Sequence, residues 1–192
     1  MTTKIRCFGA GDQLYEAYHD EEWGQPITDS ADEHELFERL CLEGFQSGLS
    51  WLTILRKRDA FRAAFHNFHP DAVAAFDDED RERLMSDPGI VRNRLKINAA
   101  IVNAQALVAM HADGERLIDL VIEHAPPSRE HPPLSFADVP AKTAESEALA
   151  KALKKKGFTF VGPTTMYALM QAIGLVDDHI QGCWMAKASP AA

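Results

Sequence analysis

Apolar residues in this chain recur at the spacing of an α-helix, and sustained strand-type alternation is absent. Leu36, Phe37, Leu40, Cys41 and Gly44 follow a repeat of about 3.6 residues, as do Ile97, Ile101, Ala104 and Val108. Asp29-Ser30 followed by Glu33 reads as a capping box that opens the first of these helices. Met166, Leu169, Met170 and Ile173 line a later one. Pro163, with its fixed φ, suits that helix's first turn, and Gly174 suits its stop. The pattern predicts an all-α fold.

The 192 residues suit one domain of two helical lobes sharing a core. Five prolines between 125 and 141 predict a surface loop that divides the chain without separating two domains, and residues 186–192 read as a frayed tail. No apolar run approaches the roughly 20 residues that cross a bilayer, and the first residues lack the apolar core of a secretory signal. A cytoplasmic protein with no membrane contact is the expectation. A net charge of −9 argues against indiscriminate coating of nucleic acid. Basic clusters nevertheless occur at Arg56-Lys57-Arg58, at Arg92, Arg94 and Lys96, and at Lys151 with Lys154 to Lys156. Each can be a solvated helix face or a phosphate contact.

Three cysteines without a signal peptide do not make a disulfide framework. Cys41 continues the apolar face of its helix and reads as core. His179 and Cys183 stand four apart, a spacing that puts both on one face if the segment is helical. Cys7 and His19 form a second, looser pair. A set of two thiolates and two imidazoles suits tetrahedral zinc, which would join the chain ends; by spacing alone the residues also read as two unrelated surface pairs. Because protein would supply all four ligands, such a zinc is structural. Taken singly, Trp51 reads as a core aromatic, Glu43 as a helix-end acid and Tyr18 as packing beside His19.

Longer blocks say more. Tyr15-Glu16-Ala17-Tyr18-His19-Asp20-Glu21-Glu22-Trp23-Gly24-Gln25-Pro26 resembles the type I 3-methyladenine DNA glycosylases. The likeness continues through Leu40-Cys41-Leu42-Glu43-Gly44-Phe45-Gln46-Ser47-Gly48-Leu49-Ser50-Trp51 and Gly89-Ile90-Val91-Arg92-Asn93-Arg94-Leu95-Lys96-Ile97. It closes with Lys156-Gly157-Phe158-Thr159-Phe160-Val161-Gly162-Pro163 and the run from Gly174 to Cys183. These blocks keep family order over nearly the whole chain. The resemblance implies a helix-hairpin-helix glycosylase fold with a structural zinc on Cys7, His19, His179 and Cys183. It implies a base pocket of Glu43, Trp51 and Tyr18, with Trp23 and Tyr15 nearby.

The implied activity is release of 3-methyladenine from alkylated double-stranded DNA by a monomer, leaving an abasic site without a lyase step. The lesion is cationic, so an indole face and a carboxylate would both favour it once flipped. Gly48 and Leu49 resemble the segment inserted where the base leaves the stack. Lys156 and Gly157, leading to Gly162 and Thr164, resemble the hairpin that holds a DNA phosphate, with Phe160 where the wider superfamily has its first glycine. Asp177 stands where relatives commonly carry asparagine. It could stabilise the developing sugar cation or orient the neighbouring ligand His179. Phe8 and Gly9 follow Cys7 where relatives often place a tryptophan two residues on. Two further readings fit the residues: an alkylpurine glycosylase with a shifted lesion preference, and a zinc-stabilised binding module without catalysis.

Overall fold

The structure, a computed structural model, describes residues 4–27 and 33–186. Among these residues the chain is all-helical, with no strand. The helices are α1 (Gln13–Glu21), α2 (Glu33–Gln46), α3 (Trp51–Ala64), α4 (Pro70–Ala74), α5 (Asp78–Ser86), α6 (Arg94–Ala112), α7 (Leu117–Glu123), α8 (Ala144–Lys155) and α9 (Pro163–Ala172). Short 3-10 turns occupy His66–Phe68 and Phe136–Asp138.

Local chemistry sets the helix starts. Asp12, Ser50, Asn93 and Thr143 each accept a hydrogen bond from a first-turn amide, so a donor that the helix leaves unpaired is satisfied. The box expected at Asp29-Ser30 lies outside the described residues. Glu33 instead bridges elements: its carboxylate accepts from the Ile118 amide at 2.9 Å and pairs with His111.

Helix α2 runs through the centre, with Leu36, Phe37, Leu40, Leu42 and Phe45 almost wholly buried against α3, α6, α7 and α9. Each such side chain contributes about 1.5–3 kcal/mol through removal from water. On α6, Ile97, Ile101 and Ala104 face this core as the repeat predicts, while Val108 is half-buried and Leu107 takes the inner place. Cys41 is core, as expected.

A second, smaller cluster of Tyr18, Trp23, Leu55 and Ala172 joins α1, α3 and α9, with Phe8, Tyr15 and Trp51 packed on it. Gly174 ends α9 with φ +72°, and a Cβ there would stand 2.7 Å from the Gly24 carbonyl oxygen. The end of α9 therefore presses directly on the backbone of residues 24–26.

The proline-rich stretch is fastened to the C-terminal segment. Pro133 accepts from the Gln181 amide at 2.8 Å, and Arg129 pairs with the buried Asp178 at 3.0 Å. Most of the expected frayed tail, residues 187–192, lies outside the described residues. No helix among the described residues is long and apolar enough to cross a membrane.

Candidate active site

A cleft of about 420 Å³, counted to its open mouth, lies between α1, α2 and α3. Tyr18, Glu43 and Trp51 all line it, so the three residues carried over to the base pocket come together. Tyr18 and Trp51 pack with ring centroids 5.3 Å apart and planes tilted by 41°. Their positions follow from helical spacing: Tyr18 is on the inner face of α1, and Trp51 opens α3 just after its cap, Ser50.

Glu43 is buried and its Oε2 has no hydrogen-bond partner; the same holds for the indole Nε1 of Trp51. Burial pushes the Glu43 carboxyl up to about 8, with Arg39 opposing the shift. Burial, and then the nearby Glu43, raise Tyr18 well above the ordinary phenol range. Unpaired buried polar atoms are costly, about 1–3 kcal/mol each, and two in one open cleft make it a receptor for a ligand with matching polar edges.

The cleft also holds charges that were not carried over to the base pocket. Arg58 chelates Glu22 through contacts of 2.5 and 2.8 Å. Arg62 donates to both oxygens of Glu38, and Arg39 bonds Glu35 and the Ala172 carbonyl. Glu35, Arg39 and Glu43 are spaced four apart on α2, and that ladder was the available signal. Tyr15 and Trp23 do not line the cleft. They pack behind it with Phe8, whose ring lies 4.9 Å from Tyr15 and 5.0 Å from Trp23. Phe8 is thus part of the backing wall.

Cys7, His19, His179 and Cys183 converge, with their candidate ligand atoms all within 4.8 Å of one another. Cys7 Sγ lies 3.1 Å from His19 Nε2, 3.5 Å from His179 Nδ1 and 3.6 Å from Cys183 Sγ. Cys183 Sγ lies 3.3 and 3.6 Å from the same two nitrogens. A tetrahedral ion with arms of about 2.0–2.3 Å needs edges of roughly 3.3–3.8 Å; the five edges that involve a sulfur, 3.1–3.6 Å, lie close to that, so the group could hold one metal. Burial pushes the Cys7 thiol up to about 12, and a thiolate there needs a cation beside it.

Helical spacing does not place the last pair. Residues 179–183 form a turn, closed by the Cys183 amide on the Ile180 carbonyl and by Gly182 at φ +88°. Asp20 accepts from Arg6 and Trp184 and sits 2.9 Å from His19 Nδ1, which leaves Nε2 aimed at the cluster. Trp23 stacks edge-on against His179 at 4.6 Å. Asp177 accepts the His179 amide at 3.1 Å and is not part of the cleft lining.

Gly48 takes φ +79° with open space around it, and Leu49 beside it is 42% exposed. Both sit in the short turn between α2 and α3. On the other connection, Gly157 takes φ +95° after α8, and Gly162 starts α9 without a side-chain cap, next to the exposed Thr164. Phe160 adopts φ +55°, the conformation a glycine would take without strain.

The basic clusters are largely spent inside the molecule. Lys156 pairs with Glu115, Arg94 with Glu82 and Arg56 with Asp12. Lys57 donates to the carbonyls of Pro88 and Gly89. Lys96, grouped in sequence with exposed cations, is buried.

An all-helical chain whose acid-and-indole cleft is backed by an aromatic wall and a Cys/His cluster has the build of a protein that captures a planar heteroaromatic ring. Comparison with known proteins makes this specific: the methyladenine glycosylase family profile matches residues 8–186, and the chain belongs to that family. It is 53% identical over 175 residues to DNA-3-methyladenine glycosylase 1 of Escherichia coli, covering 90% of this chain and 91% of that one. Its structure matches that of a 3-methyladenine DNA glycosylase I with a TM-score of 0.90 at 49% identity, over 95% of this chain and 100% of that one. A variant 3-methyladenine DNA glycosylase I in complex with 3-methyladenine gives a TM-score of 0.85 at 35% identity, over 96% and 98% of the two chains.

Proposed function

We propose that this chain is a DNA-3-methyladenine glycosylase that hydrolyses the N-glycosidic bond of 3-methyladenine flipped out of double-stranded DNA, releasing the free base and leaving an abasic site. The observation that carries the reading is an unpartnered buried carboxylate oxygen, Glu43 Oε2, in the same open cleft as the Trp51 ring. A purine with an exocyclic amine offers a donor for the carboxylate and a planar, electron-poor face for the indole ring. Membership of the methyladenine glycosylase family supports the same substrate.

The chemistry follows from charge. Without a cationic partner Glu43 keeps its proton at neutral pH, because burial holds its carboxyl near 8. A positively charged base reverses that balance, so Glu43 becomes an anion as the lesion enters. Neutral adenine gives no such reward and lacks the N3 methyl, so the pocket discriminates by charge and shape together. The aromatic face of Trp51 adds ~0.5–2 kcal/mol for a cation. The C–N bond electrons then pass to the base, which departs neutral, and water adds to the sugar carbon, giving up one proton to solvent. With so labile a leaving group, orientation and electrostatic fit supply most of the rate. Asp177 acts by holding the turn at His179, and Tyr15 and Trp23 act as supports for the wall. No lysine near Pro163 to Met166 offers a lyase nucleophile, so the enzyme is monofunctional.

We read α8, its connection and α9 as the helix-hairpin-helix element. Gly157, Gly162 and Thr164 present backbone amides to a phosphate there, and Lys156 contributes charge once released from Glu115. Gly48 and Leu49 form the wedge left in the stack. Cys7, His19, His179 and Cys183 hold a structural zinc, which supplies only a covalent-strength link between the chain ends. The protein acts as a cytoplasmic monomer, a single domain of two lobes with the cleft between them.

Incubation with methylated duplex DNA and chromatography of the released bases tests the reading. The expected product is 3-methyladenine. Release of 7-methylguanine alone, or of no base, contradicts it.

A further inference from the structure

Helix α6 buries two polar side chains two turns apart on one face, Lys96 and Asn103. Neither is a residue that an apolar core selects, and an amine buried for packing alone would be costly. Each is used. Lys96 Nζ donates to the Phe45 carbonyl at 2.9 Å and the Ser47 carbonyl at 2.5 Å. The first carbonyl lies in the last turn of α2 and the second just beyond it, where a helix leaves acceptors unpaired and the macrodipole favours a cation. The next residues are Gly48 and Leu49. Asn103 makes a reciprocal pair with Thr159: its Oδ1 accepts the Thr159 amide at 2.7 Å and its Nδ2 donates to the Thr159 carbonyl at 3.1 Å.

That pair locks the α8–α9 connection in the residue before Phe160, the one strained position in that connection. Phe160 in turn lies on α2, where a Cβ on Gly44 would stand 3.7 Å from its own. Lys96, Asn103, Gly44 and Phe160 line one small cavity, so the two clamps share a wall.

We propose that Lys96 and Asn103 are positioning residues for engagement of the DNA duplex, fixing the turn of Gly48-Leu49 and the hairpin of residues 156–162 at one spacing. A wedge and a phosphate grip work together only when both meet the same duplex at once. A misplacement of about 1 Å at such a pair is enough to cost orders of magnitude in rate. Helix α6 acts as the rigid spacer, and neither side chain lines the base cleft. The inference rests on the glycosylase reading above.

The test compares two readouts in the full-length, metal-loaded protein: single-turnover release of 3-methyladenine from methylated duplex, and calorimetric binding of the free base. Lys96→Met and Asn103→Leu are expected to slow duplex excision tenfold or more, while free-base affinity stays within twofold. If either does not fold, Lys96→Arg and Asn103→Asp, which keep a polar group at the site, are read the same way, with at least a threefold loss expected. Unchanged duplex excision overturns the proposal. So does an equal loss of both activities, which marks a general structural role. A parent protein that releases no 3-methyladenine instead refutes the glycosylase reading, and this inference with it.

Discussion

Burial alone decides the resting state of Glu43, and that has a consequence for stability as well as for binding. Its carboxyl ionises near 4.5 in an unfolded chain and near 8 in the folded one. Between those values the native protein retains a proton that the unfolded chain has lost. The contribution of Glu43 to stability is therefore full below about pH 4.5, falls as pH rises through the window, and levels off above about 8. At ~1.36 kcal/mol per pH unit the total is on the order of 3–5 kcal/mol. Glu43→Gln is expected to remove most of that slope, so that thermal unfolding at pH 8 shifts upward while the curve at pH 4.5 barely moves. The same variant is expected to lose tenfold or more in excision rate, since a neutral amide cannot answer the charge of the lesion. A residue that destabilises the fold and serves the reaction is the signature of a binding site.

At the scale of elements, the backbone is strained where function or burial requires it. His66, Asn67 and Phe68 all take positive φ, at roughly 1–2 kcal/mol each for residues other than glycine. The chain holds there because Phe68 is fully buried and stacks flat on Phe65 at 5.3 Å. Gly174 is stricter: its φ of +72° and the 2.7 Å approach to the Gly24 oxygen leave no room for a methyl group. Gly174→Ala is expected to destabilise the protein by about 2–4 kcal/mol, measured by denaturant titration, with Gly182→Ala costing less because nothing lies within 4 Å of that position.

These elements also show what a sequence can disclose. The long helices α2, α6 and α9 are legible from their apolar period, and α9 also from Pro163 and Gly174. The turn at 66–68 is not, because His66 and Asn67 only tolerate left-handed backbone and Phe68 is of a type that rarely adopts it. The two cysteines and two histidines of the cluster are legible as residue types but not as a turn. The arginine pairs of the cleft were hidden because Arg58 meets Glu22 and Arg62 meets Glu38 across different helices, partners that no local spacing marks. Lys96 was misplaced among exposed cations because nothing in its neighbours marks a carbonyl clamp.

At the scale of the whole molecule, the Cys/His cluster joins positions that are more than 150 residues apart, 19 to 179 and 7 to 183. Closing so long a loop in the unfolded chain is entropically expensive, and a zinc that binds only the assembled site is a source of folding free energy. The ends are also held by the Trp184 amide on the Ile5 carbonyl and by Asp20, so the link is reinforced rather than sole. Metal analysis is expected to give one zinc per chain, and Cys183→Ser to lose it with a fall in Tm of about 10 °C, as several kcal/mol imply for this size. A metal-free protein of unchanged Tm contradicts the zinc assignment.

The cleft itself joins both ends of the chain to its centre, since Tyr18, Glu43, Trp51 and Ala172 meet there. Whether that cleft seats the damaged base is best measured by calorimetric titration of the parent protein, Trp51→Ala and Glu43→Gln with free 3-methyladenine and with adenine. The account predicts one saturable site for 3-methyladenine in the parent and affinity about 10–100-fold weaker in Trp51→Ala, the worth of one stacked base. It also predicts weakened binding in Glu43→Gln and weaker binding of adenine, which lacks the N3 methyl that fills the cleft. Equal binding by all three proteins, or equal binding of both bases, contradicts it.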